Sequence, residues 1–508
     1  MFIRRNRNRS GTISIQIVEK VQGKTKIIKS VGVSKDLKEI SLLVDKAKAM
    51  IPQLSGQPSL FPLSQRDTAI KNFLGRLTNL QVQVIGPELI FGTLFDRIGF
   101  GAIDDKLFRH LVIARLAYPT SKLGTVDYLY RYQGKHISVD EIYRFLDILA
   151  DKHQDQIERI VFENTRKSLG GEISVVFYDL TTLYFEAESE DDLRKIGFSK
   201  DGKFNKPQVM LGLLVTTTGY PLGYELFEGD TFEGHTLIPA IKRLETKFDL
   251  QKPIIVADAG LLSKNNTQAL SEAGYSYILG ARIKNESNEL KQKILHLKLV
   301  DQEATIITKD KQTSLIIGYS DKRARKDKYN REKGLKRLEK KLKSGRLTKQ
   351  HINNRGYNKY LKLKGEINIK IDYQKFEADS QWDGLKGYLT NTKLNPKTII
   401  THYSNLWQIE KAFRISKTDL RVRPMYHYRR RRIEAHLSIT FAAYAVYKEL
   451  ERLLRRHRNF ISPNKAAKLT HTMYQLKYTL PESLKQEKQI FQMDYDQKKL
   501  VKIVCELI

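Results

Sequence analysis

The chain has 508 residues, of which 41% are hydrophobic and 9% aromatic, and this composition excludes a largely disordered protein. Lys and Arg number 89 against 57 Asp and Glu, which gives a net charge of +32. Such an excess repels itself in the folded state and favours a polyanionic partner, nucleic acid above all. A single cysteine, Cys505, excludes intramolecular disulfides and paired-cysteine metal or redox sites.

No segment of the sequence is typical of a membrane protein. The longest nearly apolar stretch, 437–447, is much shorter than the roughly 20 residues that span a bilayer. The basic N-terminus is not followed by the apolar segment of a signal peptide. We therefore expect no membrane partner and a cytoplasmic location.

Residues 1–55 are predicted to form a β-hairpin followed by a helix. Two runs of alternating apolar residues lie within residues 12–32 and meet at a turn formed by Gln22 and Gly23. The apolar spacing then becomes helical over residues 37–51.

Residues 56–170 are predicted to be a linker and a helical region that binds DNA. Pro and Gly are frequent between residues 52 and 62, as in a linker. Helical periodicity continues through residues 75–170 and predicts four or five helices.

Residues 171–281 are predicted to form a mixed sheet with helices packed on it. Short apolar runs alternate with helical patterns in the order β-β-β-α-β-α-β. The predicted strands are 173–178, 208–216, 222–227, 253–257 and 275–280, and the predicted helices are 236–248 and 263–273.

Residues 282–395 are predicted to be an insertion into this domain. Strand-like segments flank a very basic tract between residues 321 and 349. The tract is interpreted either as a solvated helix or as a surface that contacts phosphate groups. The strand-like segments are 304–318, 366–376 and 387–390.

The remainder of the chain is predicted to be helical. A long helix over 399–418 precedes an arginine-rich turn and a mostly apolar helix over 433–454. We assign 396–455 to the second part of the sheet domain and 456–508 to a polar helical tail.

Two aspartates are the first candidate site residues. Asp179 and Asp258 are each expected at the C-terminal end of a buried strand, where a carboxylate is costly unless it is paired or binds a cation. Each aspartate alone is better explained as a cap of the following turn or helix. Two of them in one sheet of a strongly basic protein favour a shared divalent metal ion. Motifs of zinc proteases, serine hydrolases and dinucleotide-binding folds are absent.

The third candidate element is the helix predicted over 399–418. Five of its residues recur at spacings of three or four, which places them on one helical face: Tyr403, Leu406, Glu410, Arg414 and Lys417. Glu410 lies in the middle of this face, one and two turns from cations. A face of this mixed character is more typical of an active-site wall than of a core. Mg²⁺ or Mn²⁺ would take carboxylate and phosphate oxygens there, while the cations hold the DNA backbone.

These residues resemble a known family. Asp179, Asp258 and Glu410 resemble the DDE triad of RNase H-like transposases, and the spacing from Tyr403 to Lys417 resembles the Y-R-E-K signature of IS4-type insertion-sequence transposases. Among these transposases, the motif sequences are most similar to those of the IS1634 family. The similar segments are the N-terminal hairpin, SerValValPheTyrAspLeuThrThr at 174–182, AlaAspAlaGlyLeuLeuSer at 257–263, and AspLeuArgValArgPro at 419–424 followed by His427.

The resemblance implies an α/β catalytic core of RNase H-like type, with a mixed β-sheet flanked by helices and a β-rich, basic insertion before the glutamate helix. It also implies a DNA transposase that binds terminal inverted repeats, cleaves the DNA and joins the freed 3′-hydroxyls to target DNA. Asp179, Asp258 and Glu410 would be catalytic and would hold Mg²⁺ or Mn²⁺, as two ions. The partners would be double-stranded DNA and a second copy of the chain, in a prokaryotic nucleoid.

The resemblance also suggests DNA contacts, with one departure. The signature arginine is Leu406 here, and Arg414 on the same face would replace it in part. Trp407 is interpreted either as a stacking platform for a flipped base or as a core residue. The arginine run 429–432 is interpreted either as specific phosphate contacts or as a general electrostatic attraction for DNA. The other DNA-contacting residues would be Tyr403, Lys417, Arg421, Arg423 and Arg429.

Two alternatives stay open at this point. One is a catalytically inactive transposase remnant that binds DNA as a repressor, although an intact triad argues against decay. The other is an RNase H-like nuclease that cleaves without joining, which would use the same site.

Overall fold

The computed structural model describes residues 1–55, 65–248, 250–348, 351–353, 356–364, 368–458, 461–481 and 483–505. The chain divides into two compact units. One comprises Met1–Asn79 and Tyr478–Glu487, and the other comprises Leu80–Lys477 and Lys488–Ile508.

The first unit contains an antiparallel sheet and two helices. The apolar alternation of the central strand buries Ile15 and Ile17 against Ile40 and Val44 of the following helix. Asp36 caps that helix by accepting hydrogen bonds from two backbone amides. The predicted hairpin and helix are confirmed, a further strand precedes them, and most of the predicted linker lies outside the described residues. The elements are β1 Phe2–Arg7, β2 Ile13–Val21, β3 Lys24–Ser34, α1 Leu37–Leu54 and α2 Gln65–Gly75.

A helical region opens the second unit, as predicted. It differs from the prediction in one strand near its start. Short 3₁₀ and π segments join several of the helices. The elements are β4 Val82–Val84, α3 Thr93–Ile98, α4 Lys106–Ala117, α5 Lys122–Gln133, α6 Val139–Ile148 and α7 Gln154–Ser168.

The predicted β-β-β-α-β-α-β order follows and is confirmed. The first three strands pair antiparallel, and the first then pairs in parallel with the fourth, since α8 returns the chain across the sheet. The elements are β5 Val175–Tyr184, β6 Gln208–Thr216, β7 Pro221–Glu228, α8 Leu237–Phe248, β8 Ile254–Ala257, α9 Lys264–Glu272 and β9 Tyr277–Ala281.

The block 282–395, predicted as an insertion, is only partly separate from this sheet. Three of its strands extend the sheet to eight strands in the order β10-β11-β14-β9-β8-β5-β6-β7. The part outside the sheet is a long basic helix, a two-stranded ladder and a short helix around a small core of their own. The elements are α10 Asn288–Leu295, β10 Ala304–Thr308, β11 Ser314–Tyr319, α11 Asp321–Lys343, β12 Leu361–Lys364, β13 Asn368–Ile371, α12 Tyr373–Ser380 and β14 Leu385–Thr390.

The last part of the chain departs from prediction in two ways. The predicted long helix is broken into two helices near Asn405, and the tail contains strands as well as helices, one of which pairs with β4. The predicted apolar helix is confirmed and is almost wholly buried. The elements are α13 Pro396–Ser404, α14 Trp407–Arg414, α15 Arg430–Arg456, α16 Pro463–Thr470, β15 Tyr474–Thr479, β16 Gln486–Ile490 and α17 Tyr495–Cys505.

The eight-stranded sheet is buried on both faces near its centre. On β5, Val175 and Phe177 point into the large core that contains α15, while Val176 and Tyr178 point into a second core with α8 and α9. The architecture is therefore a mixed sheet between two helical layers, as the RNase H-like expectation requires in outline. No helix in the described ranges is long and apolar enough to cross a membrane.

Candidate active site

Two adjacent central strands bring Asp179 and Asp258 together. The parallel ladder of β5 and β8 ends with Tyr178 opposite Ala257. Asp179 is the next residue on β5, and Asp258 is the first residue after β8. The prediction that Asp179 ends its strand is wrong, because β5 continues to Tyr184 in its antiparallel ladder with β6. Only the parallel pairing with β8 ends before Asp179. From this residue onward β5 and β8 separate, next to the turn that follows β8.

A lysine that the sequence analysis did not single out enters this opening. Lys200 lies in the connection between β5 and β6, and its Nζ is 3.7 Å from Asp179 Oδ1. The same Nζ is 3.1 Å from Glu233 Oε1 and donates a hydrogen bond of 2.8 Å to the carbonyl oxygen of Leu180. One ammonium group therefore bridges a carboxylate on β5 and a carboxylate in the turn before α8.

The absence of a side chain at Gly260 allows two of these carboxylates to approach the backbone closely. A Cβ atom at this position would lie 2.9 Å from Asp258 Oδ1 and 3.0 Å from Glu233 Oε2. The backbone amide of Gly260 donates a 2.7 Å hydrogen bond to Asp258 Oδ1, so the turn-capping role considered for Asp258 is present. A carboxylate retains further lone pairs beside such a bond, and the cap does not prevent it from binding a cation.

The electrostatics of the cluster follow from burial and crowding of like charges. Burial raises the pKa of Asp179 to about 6, and the charges of Asp258 and Glu233 act in the same direction. Lys200 opposes this shift without cancelling it. For Lys200 itself, burial disfavours the ammonium form, but the surrounding carboxylates outweigh it and raise the pKa.

A divalent cation suits this donor set. Carboxylate oxygens are the ligands that Mg²⁺ and Mn²⁺ prefer, and an ammonium cation already lies among these carboxylates. Asp258 Oδ1 and Glu233 Oε2 both lie close to Gly260, so two further carboxylate oxygens are near each other. As the side chains stand, no three His, Cys, Asp or Glu residues in the described ranges are arranged to hold a metal ion.

Glu410 lies on the exposed surface of α14. The break before α14 means that the predicted five-residue face is not one continuous helical face. Glu410 acts electrostatically on Lys386, whose ammonium lies 4.3 Å from the centre of the Tyr403 ring. Burial and then the charge of Asp258 raise the pKa of Tyr403. Lys386 thus interacts with Glu410, and the neighbouring Tyr403 interacts with the aspartates.

The other members of the predicted face are divided between core and surface. Tyr403 is buried and packs edge-on against Tyr388, which removes it from the surface expected for a DNA contact. Leu406 is 8% exposed and belongs to the large core. Trp407 is 47% exposed, so its interpretation as a core residue is wrong. Arg414 is exposed at the end of α14.

Two of the predicted phosphate contacts are held by a neighbouring acid. Asp201 Oδ2 lies 3.0 Å from Lys417 Nζ and 2.7 Å from Arg423 NH1. Asp201 directly follows Lys200 in the sequence. Lys200 thus lies among the carboxylates of the site, while Asp201 lies between the cations Lys417 and Arg423. Arg421 is exposed and donates a hydrogen bond to the carbonyl oxygen of Pro119.

The arginine run before α15 is mostly engaged within the protein. Arg430 pairs with Glu434, Arg431 with Asp151 and Arg432 with Asp147, while Arg429 is exposed at the start of the helix. These ion pairs reduce the positive charge with which residues 429–432 could attract DNA.

The basic tract is a helix, α11, and most of its cations face solvent. Arg331 is the exception, since it is buried and pairs with Asp383 at 2.6 Å. The solvated-helix interpretation therefore describes the fold of this tract, and its exposed cations stay available for phosphate contact.

Sequence analysis missed Lys200 and Glu233 because neither lies at a strand end or on a periodic helical face. Glu233 is in the short turn after β7, and Lys200 is in a long irregular connection. The signal available was weak. It consists of acidic and glycine residues clustered directly before a helix, in the segment GlyAspThrPheGluGlyHis at 229–235.

The sequence profile of the family described as transposase DDE domain matches residues 170–446, more than half of the chain. No curated protein matches the sequence. The cryo-EM structure of the piggyBac transposase synaptic complex with hairpin DNA is similar at 10% identity, with 76% of each chain covered and a TM-score of 0.39.

The Mos1 transposase paired-end complex with left transposon end is similar at 12% identity and a TM-score of 0.16, covering 46% of this chain and 71% of that chain. The crystal structure of the Mos1 mariner paired end complex with Mn gives 12% identity, a TM-score of 0.15 and coverage of 46% and 72%. Structural likenesses this distant add nothing to the family match.

The family match spans all three residues of the predicted triad and confirms the resemblance to DDE transposases. The chain therefore belongs to the transposase DDE domain family.

Proposed function

We propose that the protein is the transposase of an IS4-type insertion sequence, similar to the IS1634 family. It binds the terminal inverted repeats of its element and catalyses metal-dependent DNA cleavage and strand transfer. The observation that carries this proposal is the meeting of Asp179 and Asp258 where the β5–β8 ladder ends, within a chain of the DDE family.

In this proposal Asp179, Asp258 and Glu410 hold divalent metal ions at the scissile phosphate. Two Mg²⁺ or Mn²⁺ ions, when bound, supply activation of the attacking hydroxyl and stabilisation of the leaving oxygen. Asp179 and Asp258 contribute negative charge from adjacent rigid strands, which fixes their separation. Their partial burial excludes water and strengthens their attraction for a cation.

Glu410 is supplied from α14, outside the sheet. Its exposure on α14 supports a role that is completed when DNA is bound. Lys386, which interacts electrostatically with Glu410, is then able to turn to a DNA phosphate instead.

DNA binding is proposed to rest on cations close to this site. Five of these cations lie on α14 or in the segment that follows it: Arg414, Lys417, Arg421, Arg423 and Arg429. The net charge of +32 also supports a polyanionic partner. The half-exposed ring of Trp407 is able to stack on an unpaired base. A homodimer that pairs two DNA ends and a cytoplasmic, nucleoid-associated location belong to the same proposal.

The test uses the purified full chain and a labelled duplex that carries the terminal inverted repeat of its own element. With Mn²⁺ we expect cleavage at the element end and joining to a target plasmid, and EDTA should abolish both. Binding without cleavage would favour the inactive remnant, and cleavage without joining would favour the nuclease.

A further inference from the structure

We propose that Glu233 is a fourth metal-binding carboxylate of this active site, and that Lys200 occupies the cation position in the metal-free protein. This inference rests on the proposed function, because it concerns the same metal ions. It adds a residue outside the predicted triad and a specific competitor for the metal.

The first argument is that Glu233 has one oxygen near the surroundings of each aspartate. Its Oε1 lies 3.1 Å from the Lys200 ammonium, which is also 3.7 Å from Asp179 Oδ1. Its Oε2 lies 3.0 Å from the position of a Cβ atom at Gly260, and Asp258 Oδ1 lies 2.9 Å from the same position. A small movement of these side chains, with Lys200 displaced, would allow the carboxylate of Glu233 to share a cation with the aspartates.

The turn that carries Glu233 is held firmly. The Thr236 side chain is buried, and its hydroxyl donates a 2.8 Å hydrogen bond to the backbone carbonyl of Glu233. The backbone amide of Thr236 donates to the same carbonyl oxygen at 3.2 Å. The backbone that carries the Glu233 side chain is therefore held in place just before α8, beside the cluster.

Charge balance is the second argument. Three carboxylates around a single ammonium leave two net negative charges, and carboxylates in a partly buried cluster are costly without a counter-charge. If one divalent cation replaces the Lys200 ammonium, this excess falls from two negative charges to one. The cluster is therefore better neutralised by a divalent metal ion than by Lys200.

Lys200 is able to leave without unfolding the sheet. It lies in the connection between β5 and β6, and its side chain is 30% exposed. Its backbone is anchored to β5 by a 3.1 Å hydrogen bond from its amide to Thr182 Oγ1, so only the side chain needs to move.

A purely structural ion pair is the competing explanation, and it makes different predictions. If Glu233 merely holds Lys200, then Glu233→Gln should not change the affinity of the protein for a metal ion. If Glu233 is a ligand and Lys200 a competitor, the two substitutions should change that affinity in opposite directions.

The experiment measures Mn²⁺ binding to the DNA-free full chain by titration, with the free ion followed by electron paramagnetic resonance. We expect Glu233→Gln to weaken Mn²⁺ binding by about tenfold or more, which is the lower end of the loss for groups that support a metal site. Lys200→Met should strengthen it severalfold. Glu186→Gln is the matched control, because it removes a Glu–Lys pair, with Lys206 at 3.7 Å, at the start of the same connection.

Asp179→Asn and Asp258→Asn are titrated in parallel. If they lose Mn²⁺ while Glu233→Gln binds it normally, this inference is overturned and the proposed function stands. If all three bind Mn²⁺ like the wild type, the metal site of the proposed function fails with it. Glu233→Asp, which keeps the charge and shortens the side chain, should lose less affinity than Glu233→Gln. Equal losses for the two variants, accompanied by a lowered melting temperature, would mean that Glu233 is structural.

Discussion

Asp179 and Asp258 are the first residues beyond Tyr178 and Ala257, the last partners of the parallel ladder between β5 and β8. The two carboxylates therefore leave adjacent strands at the same level of the sheet. Asp179 stays within a strand that continues beside β6, and Asp258 begins a turn that is tightened by the Gly260 amide. Asp179 on the continuing strand β5 thus lies next to Asp258 in the turn, with Lys200 and Glu233 close by.

The raised pKa of Asp179, about 6, predicts a dependence of stability on pH in the metal-free protein. Its ordinary value is 3.8, so between these values the folded chain holds a proton that the unfolded chain has released. The unfolding free energy should therefore fall as the pH rises through this window, by on the order of 3 kcal/mol. Asp179→Asn cannot lose a proton. Relative to the wild type, its melting temperature should rise between pH 4.5 and pH 7, and a difference independent of pH would contradict the raised pKa.

Removal of Asp201 should release two cations for DNA. Asp201→Asn frees Lys417 and Arg423, so the affinity for the terminal duplex should increase severalfold and the log–log salt slope should steepen by about one to two units. Asp192→Asn, an exposed site in the same connection, makes the same change in charge and is the control. Equal effects of the two variants would show that net charge alone is responsible.

The converse change, Lys417→Ala made in the Asp201→Asn background, should weaken binding to DNA of any sequence relative to Asp201→Asn alone and lower the salt slope by about one unit. The physical reason is the loss of one released counterion for each phosphate contact removed. Fluorescence anisotropy of the labelled duplex at several salt concentrations measures both quantities. An unchanged slope would remove Lys417 from the phosphate contacts.

Leu406→Arg, which restores the arginine of the Y-R-E-K signature, should destabilise the protein. Leu406 is buried in the large core, and an unpaired guanidinium there costs about 3 kcal/mol or more. Leu406→Met keeps an apolar side chain of similar volume and should cost less than about 1.5 kcal/mol. Thermal unfolding of both variants gives the comparison, and a stable, active Leu406→Arg protein would show that this part of α14 rearranges.

The sequence predicted those parts of the fold in which apolar periodicity is uninterrupted. The strand and helix order from β5 to β9 follows from such patterns, as does the buried helix α15. The break near Asn405 was not predictable from spacing, because the apolar positions on its two sides remain nearly in phase. β14 lies in a predicted strand-like segment, whereas β10 and β11 were predicted as a single segment over 304–318. Their membership of the central sheet depends on pairing between distant residues.

The candidate site shows the same division. Asp179 and Asp258 were found because a carboxylate after a buried apolar run is unusual. Glu233 and Lys200 were missed, since acidic and basic residues in irregular segments are normally solvated. Their importance becomes visible only when the chain folds and brings residues separated by long stretches of sequence to one ammonium group.

The most direct test of the account is the metal-dependent cleavage rate of the terminal duplex by Asp179→Asn and Asp258→Asn, each compared with the wild type at saturating DNA. We predict that each variant binds the duplex nearly as well as the wild type and cleaves it more than about a hundredfold more slowly, a loss beyond that of residues which merely support a metal site. Cleavage near the wild-type rate by either variant, in the same Mn²⁺ buffer, would contradict the placement of the active site where β5 and β8 part.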